Sequence, residues 1–126
     1  MNKVFVNEAD KIGEIVLIGD QNDQTLQEAI TESIKFDTEQ NRLYGRVATL
    51  IDATEAESFS PDVLKISLRG LTVVNYDRLA ILNSPKPIKA ALEPMLKVIG
   101  RSERVQFFID RGEAVIWLQE SASVTE

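Results

Sequence analysis

Residues 47–52 read Val-Ala-Thr-Leu-Ile-Asp, an apolar run that ends in a carboxylate. A short continuous apolar run of this kind is typical of a strand that is buried on both faces of a parallel sheet. Helical patterns lie before and after it along the chain, and parallel strands need such crossover helices between them. The segment therefore predicts an α/β fold.

Two strands and a helix are predicted before residue 47. Residues 4–6 and 14–18 are β-branched apolar runs on either side of a turn-like segment at 7–13, which indicates an antiparallel hairpin. The helix that follows is marked at its start by Thr25 with Glu28, a capping-box spacing, or by Asp23 as a competing N-cap. We expect residues 37–42 to form a polar loop. The helical stripe consists of Leu26, Ala29, Ile30, Ser33 and Ile34.

The second half of the chain repeats the alternation. Residues 60–62, Ser-Pro-Asp, supply an N-cap, a proline for the first helical position and a first-turn acid, and they open a second helix. Strands are predicted at 78–82 and 105–108. Between them a third helix ends at Gly100, and Pro94 inside it predicts a kink, or a start later than Ile88. Asp110 and Glu113 cap a last helix, and residues 121–126 are expected to be a frayed tail.

The predicted order of elements is ββαβαβαβα. It describes a mainly parallel, mixed five-stranded sheet with about four helices, with the first strand antiparallel at or near an edge. No Pro-, Gly- or Ser-rich linker interrupts this order, so we expect one domain over residues 1–126.

Composition excludes several classes of function. The chain has no Cys and no His, which removes disulfide frameworks, zinc fingers, thiol nucleophiles and His general bases, and we expect neither a metal nor a cofactor. Residues 1–60 carry 12 acidic and 5 basic side chains. An acidic front half argues against nucleic-acid binding, which needs clustered Lys and Arg. With no targeting signal and no membrane-spanning apolar run, a cytoplasmic protein without integral membrane association is expected.

The order of these elements resembles the STAS fold of sporulation anti-sigma-factor antagonists, and within it the SpoIIAA-like, or STAS/SEC14, branch. The resemblance rests on a strand that ends Ile18-Gly19-Asp20, a strand that ends at residues 50–54, an Arg-rooted strand at 78–82, and a Phe-containing strand followed by a helix that closes on Trp117-Leu118. It covers most of the chain. It implies a non-enzymatic regulatory module.

Regulatory STAS domains carry an Asp-Ser-Ser-Gly-like phosphorylation site after the third strand, and this chain reads Ser58-Phe59-Ser60-Pro61-Asp62 there. The motif is absent. Ser60, and next to it Ser58, are the phosphoacceptor candidates that the resemblance implies. A Ser directly before Pro at a helix start also fits a plain N-cap.

The helix after Ser60 is apolar over an unusually wide arc, with Leu64, Leu68 and Leu71 on one side and Val63 and Ile66 on others. A wide arc indicates burial against more than one surface. The first hypothesis is therefore a module that associates with itself, as a possible homodimer, or with a protein partner through residues 54–71. Its contact surface is expected to include Phe59, Leu64, Leu68, Leu71 and Trp117. For Trp117 a core position is the alternative, because Ala114 and Leu118 lie beside it at helical spacing.

Two other hypotheses stay open. The SEC14 side of the resemblance implies a small carrier or sensor that binds an apolar, lipid-like molecule between the helices at 61–72 and 88–99 and the sheet. An enzyme would need the strand-end carboxylates Asp20 and Asp52 to work as acid and base. Such carboxylates are more commonly ordinary caps and turns.

Overall fold

The computed structural model of this chain describes residues 1–120, so the predicted tail at 121–126 lies outside the described residues. One sheet contains five strands in the order β1-β2-β3-β4-β5. β1 pairs with β2 in antiparallel fashion, and the other neighbours are parallel. The predicted order and the antiparallel edge strand are confirmed. The strands are β1 (Lys3–Asn7), β2 (Ile12–Gln21), β3 (Ala48–Phe59), β4 (Arg78–Leu82) and β5 (Val105–Phe108), and the helices are α1 (Asp23–Tyr44), α2 (Val63–Val73), α3 (Lys86–Val98) and α4 (Arg111–Gln119).

The described helices cover the two faces of the sheet unequally. On one face, α2 and α3 bury Leu71 and Leu92 against Leu79 of β4, and α1 packs beside α2. On the other face, α4 buries Ala114 and Leu118 in a cluster with residues of β2, β3 and β4. Full burial of each such Leu stabilises the fold by about 1.5 to 3 kcal/mol. Within residues 1–120, none of the helices combines the length and the apolar character needed to cross a membrane.

The first helix is longer than predicted and begins differently. Its N-cap is Asn22, not Asp23 or Thr25: the Asn22 side chain accepts from the Thr25 N–H at 3.0 Å, and the Thr25 hydroxyl accepts from the Asn22 N–H at 3.0 Å. The expected polar loop at 37–42 is wrong, because these residues continue α1. The helix ends instead at Gly45, whose φ of 68° is a left-handed conformation that glycine adopts at little cost.

The third helix begins before Ile88, which excludes one of the two effects predicted for Pro94. α3 starts at Lys86 and runs through Pro94, so the expected start after Ile88 is wrong. Two features explain the early start: Pro85 directly precedes the helix, and its carbonyl accepts from the N–H groups of Ile88 and Lys89 at 3.1 and 3.0 Å. Pro87 lies in the first turn of α3, where proline is favoured because its φ is already helical and its missing N–H is not needed.

Candidate functional site

Two strands of the sheet project beyond their neighbours. β3 pairs with β4 only as far as the partners Asp52 and Leu82, whereas β2 and β3 stay paired to Gln21 and Phe59. We call residues 17–21 of β2 and 53–59 of β3 the β2–β3 arm. Two register shifts interrupt its pairing, and such bulges commonly re-aim side chains beside functional surfaces. The sequence predicted β3 only to residue 52, because the polar residues after it do not continue the apolar run.

The outer surface of the arm is acidic and exposed. Glu55, Glu57 and Ser58 are exposed on β3, and so is Asp20 on β2. The Ser58 hydroxyl donates a hydrogen bond of 2.6 Å to the Asp20 carboxylate, which joins the two strands near the tip. Neither residues 12–34 nor residues 47–64 contain a Lys or an Arg. The arm therefore carries three acidic side chains and no basic one.

At the tip of the arm the chain turns into α2. The Ser60 N–H donates to the carbonyl of Gln21 at 2.9 Å, and the Ser60 carbonyl accepts from Val63 N–H at 3.1 Å. The Ser60 hydroxyl is buried and has no hydrogen-bond partner among the described residues. The expected N-cap role of Ser60 is wrong, because α2 begins at Val63 with Asp62 as its N-cap residue, and the Asp62 side chain makes no capping bond.

Below the arm lies an apolar cavity of about 100 Å³, between the sheet and the helices α1, α2 and α3. Phe59 and Val63 border it where the arm meets α2, and Ser84, Pro85 and Ile88 border it where α3 begins. Because Phe59, Ser84 and Pro85 are partly exposed, the cavity reaches the surface between the starts of these two helices. An engineered apolar cavity of roughly 150 Å³ holds one benzene molecule. This cavity therefore has room for about one aliphatic side chain or chain end.

Comparison with known proteins bears on the fold. Neither the models of known protein families nor the sequences of curated proteins match this chain. A protein of the DUF3478 family with a SpoIIAA-like fold, from Shewanella loihica, is 20% identical with a TM-score of 0.55, over 94% of this chain and 92% of its own. The anti-sigma factor antagonist SpoIIAA in its unphosphorylated form is 13% identical with a TM-score of 0.60, over 94% and 98% of the two chains. This chain has the SpoIIAA-like fold.

The phosphorylated form of the Bacillus cell fate determinant SpoIIAA is similar to this chain to the same degree. It is 12% identical with a TM-score of 0.59, over 94% of this chain and 99% of its own. The resemblance inferred from the order of elements is thereby confirmed at the level of the fold.

On the SpoIIAA-like fold, the predicted contact residues separate into three groups. Phe59 and Leu71 line the cavity. Leu64 packs against the cluster that contains Leu71, and Leu68 is partly exposed on α2. Trp117 lies on the opposite face of the sheet, where its ring centroid is 5.7 Å from that of Phe108 and the Arg78 guanidinium lies 4.9 Å above the ring. Trp117 is therefore remote from the other four.

The wide apolar arc of α2 has an explanation inside the chain itself. α2 lies between α1 and α3 over the sheet. Leu64 and Leu71 pack in the cluster shared with α3, whereas Val63 and Ile66 pack in the cluster shared with α1. A β-carbon on Gly70 would lie 2.7 Å from the Ile30 side chain, so α2 approaches α1 closely there. Leu68 is the residue of the arc that these two clusters leave out.

The two strand-end carboxylates do not form one site. Asp20 on β2 is paired with Ser58 on β3, and Ser58 lies six positions beyond Asp52 along β3. At the rise of a β-strand, six positions separate Asp52 from Ser58, and so from Asp20 beside it, by about 20 Å. Asp52 accepts a local hydrogen bond from the Thr54 N–H at 2.9 Å. Within residues 1–120, no three His, Cys, Asp or Glu side chains are grouped so that they could hold a metal ion. The arrangement favours caps and turns over acid–base chemistry.

The burial of two acidic side chains, Asp37 and Glu14, was not predicted from the sequence. Asp37 on α1 is buried, and burial raises the pKa of its carboxyl to about 6. Glu14 on β2 is 3% exposed and accepts from Arg111 at 2.6 Å. The signal for Asp37 is its helical phase, because it lies four residues after Ser33 on the buried stripe. The Glu14–Arg111 pair could not be predicted from the sequence, because its two residues are 97 positions apart.

Proposed function

We propose that this chain is a non-enzymatic, STAS-type regulatory module that docks a protein partner through residues 54–71. The observation that carries the proposal is the β2–β3 arm, which projects beyond β4 and delivers exposed Glu57, partly exposed Phe59 and the start of α2 to one end of the molecule. Surfaces on loops and projecting strands positioned by a rigid sheet are common places for recognition.

Two further facts support this proposal. The SpoIIAA structures share the fold and describe an anti-sigma factor antagonist in unphosphorylated and phosphorylated forms, which is a regulatory protein. This chain has no His and no Cys, and Asp20 lies far from Asp52. It therefore has few groups suited to acid–base or nucleophilic catalysis. A partner-docking role needs only a shaped and charged surface.

The proposal also covers the two serines. Ser58 is exposed and Ser60 holds its hydroxyl in the interior, so Ser58 is the more accessible phosphoacceptor candidate. A phosphoryl group on Ser58 would replace its hydrogen bond to Asp20 with repulsion between like charges, and would loosen the tip of the arm. We expect the intact mass of protein from its own cells to show an added phosphoryl group, peptide fragmentation to place it on Ser58, and Ser58→Ala to remove it.

Site-specific cross-linking tests where the partner docks. A photo-reactive amino acid at position 57, on the arm, is expected to give a discrete adduct in the cells that produce the protein. The same group at position 113, on α4 at the other face of the sheet, is expected to give none. Mass spectrometry of the adduct separates a second copy of this chain from a different protein. Adducts from position 113 alone, or from neither position, would contradict the proposal.

Leu68→Asp is the matching substitution. It places a charge on the partly exposed residue of α2 that lies outside the three buried clusters, so it should leave the fold intact and abolish the adduct from position 57. Ile116→Asp is the control, because Ile116 is 61% exposed on α4. Loss of the adduct in both variants, or in neither, would count against docking at 54–71.

A second candidate function is favoured by the cavity. A carrier or sensor for an apolar molecule requires a space between α2, α3 and the sheet, and the cavity lies there. Its size limits the occupant to a small apolar group or the end of a single chain, well short of a whole lipid. The small volume of the cavity therefore favours a docking module over a lipid carrier.

Native mass spectrometry tests the carrier directly. A carrier is expected to retain a small molecule that leaves on denaturation, and Ala53→Leu to abolish this retention because the added side chain fills the cavity that Ala53 lines. Ala91→Leu, at a partly buried position of α3 that does not line the cavity, is the control. Bare chain mass in the wild type would remove this candidate.

A further inference from the structure

We propose that the partner docks as an extended, basic segment that pairs with β3 along residues 55–59 and inserts one aliphatic side chain into the cavity. This inference rests on the proposed function and names the chemistry of the partner. Three features of the arm carry it: a free strand edge, a cavity beside that edge, and a negative charge along it.

The edge of β3 facing away from β2 is free along the arm. Among residues 1–120, β4 stops at Leu82 opposite Asp52, and residues 53–59 pair only with β2. In a parallel pair, alternate residues direct both N–H and C=O to the opposite side, so the arm offers backbone donors and acceptors to an added strand. The Thr54 N–H is already bonded to Asp52, and the Thr54 hydroxyl accepts from Asn83 at 2.7 Å. The usable edge therefore begins at Glu55.

The cavity opens beside this edge. Phe59 ends the arm and Val63 begins α2 on one side of the opening, and Ser84 and Pro85 lie on the other. A strand added along β3 directs alternate side chains toward the helices, as β3 itself does with the inward residues Ala53 and Phe59. One such side chain would reach the opening, and a cavity of about 100 Å³ accepts Leu, Ile or Val but is small for an aromatic ring.

The charge of the arm selects the added segment. Glu55, Glu57 and Asp20 are exposed, with no Lys or Arg within residues 47–64. In an antiparallel pair of two arms the glutamates of one copy would lie among those of the other, and like charges on paired strands are destabilising. A second copy of this chain is thus disfavoured at this edge. A segment with Lys or Arg at alternate positions is attracted to it.

The experiment selects random dodecapeptides displayed on phage against the wild-type chain, and then maps the binders by amide hydrogen exchange. The expected binders have alternating Lys or Arg with one Leu, Ile or Val, and they slow exchange at amides within residues 55–59. Glu55→Lys combined with Glu57→Lys is expected to weaken their binding by about tenfold. The control pair Glu93→Lys and Glu103→Lys makes the same change in net charge at exposed positions away from the arm, and should leave affinity unchanged.

A cavity-filling variant separates the two parts of the proposal. Ala53→Val should weaken peptides that carry the aliphatic residue and leave their Ala-substituted forms unaffected. Binders that contact residues 54–71 without slowing amides 55–59, such as helical peptides that depend on Leu68, would overturn strand addition and leave the proposed function standing. Binders that map only to other surfaces, or a selection without binders, would contradict both.

Discussion

Replacing Arg111 with Met is expected to lower the free energy of unfolding by about 2 kcal/mol. Arg111, the first residue of α4, donates to the Glu14 carboxylate at 2.6 Å, and this hydrogen bond raises the pKa of the guanidinium. Glu14 is 3% exposed on β2, and when the guanidinium is lost the only hydrogen bond left to its carboxylate from residues 1–120 is that of the Asn7 side chain, at 2.6 Å. A buried carboxylate without its cation is costly, and the 45% exposure of Arg111 moderates that cost. Urea unfolding measures the difference.

The control for Arg111 is a second ion pair, Arg42–Glu39, which has the same N···O distance but is more exposed. Arg42 lies 2.6 Å from Glu39, and both side chains are largely exposed, so Arg42→Met should change stability much less. The double variant Glu14→Met with Arg111→Met removes both charges, and it should be more stable than the sum of its single variants indicates. Equal losses for Arg111→Met and Arg42→Met would show that burial of Glu14 does not govern the interaction.

The order of elements was predictable from the sequence because each strand and helix has its own local period. The run at 47–52 and the stripe around Leu26 and Ala29 identify a buried strand and a helix face with no knowledge of their neighbours. The length of β3 was not predictable in the same way. Its last residues are polar because they face solvent along the arm, and only their pairing with β2 makes them a strand. That pairing depends on the tertiary structure, and the local sequence pattern does not show it.

The apolar arc of α2 was predictable from the sequence, but the elements that surround this arc were not. Residues 54–71 were singled out because α2 has a wide apolar arc, and the structure places that arc between α1 and α3, which bury most of it. The sequence could not show which neighbours α2 has. It therefore could not separate Leu71, which lines the cavity, from Leu68, which is partly exposed. Trp117 was grouped with them because an indole suits an interface, whereas the sheet separates it from α2.

The polar composition of residues 37–42 suggested a loop, whereas the helical spacing of these residues predicts that α1 continues through them. Asp37 and Gln40 continue the spacing of Ser33 along one face of α1. Gln40 has a defined role there, since its side-chain oxygen accepts from the Ala48 N–H at 3.2 Å, at the start of β3. Asp37 has no such compensation: one of its carboxylate oxygens is buried without a hydrogen-bond partner among the described residues.

Asp37→Asn is expected to stabilise the protein at pH 7 by about 3 kcal/mol and to have little effect at pH 4. Burial raises the pKa of the Asp37 carboxyl from 3.8 to about 6 in the folded state. Between these two values the folded state holds the proton more tightly than the unfolded chain does, so stability falls as the pH rises through this window. Above pH 6 the folded protein carries a buried charge that Asn lacks.

Urea unfolding of both proteins across this pH range checks the prediction. The wild type should lose stability from pH 4 to pH 6 relative to Asp37→Asn, whose profile lacks this component, and the difference should be constant above pH 7 because both states of the wild type are then ionised at Asp37. Parallel profiles would show that water reaches the carboxylate. In that case α1 would open locally at Asp37, and the helix that flanks the cavity would be less firmly packed than its buried stripe indicates.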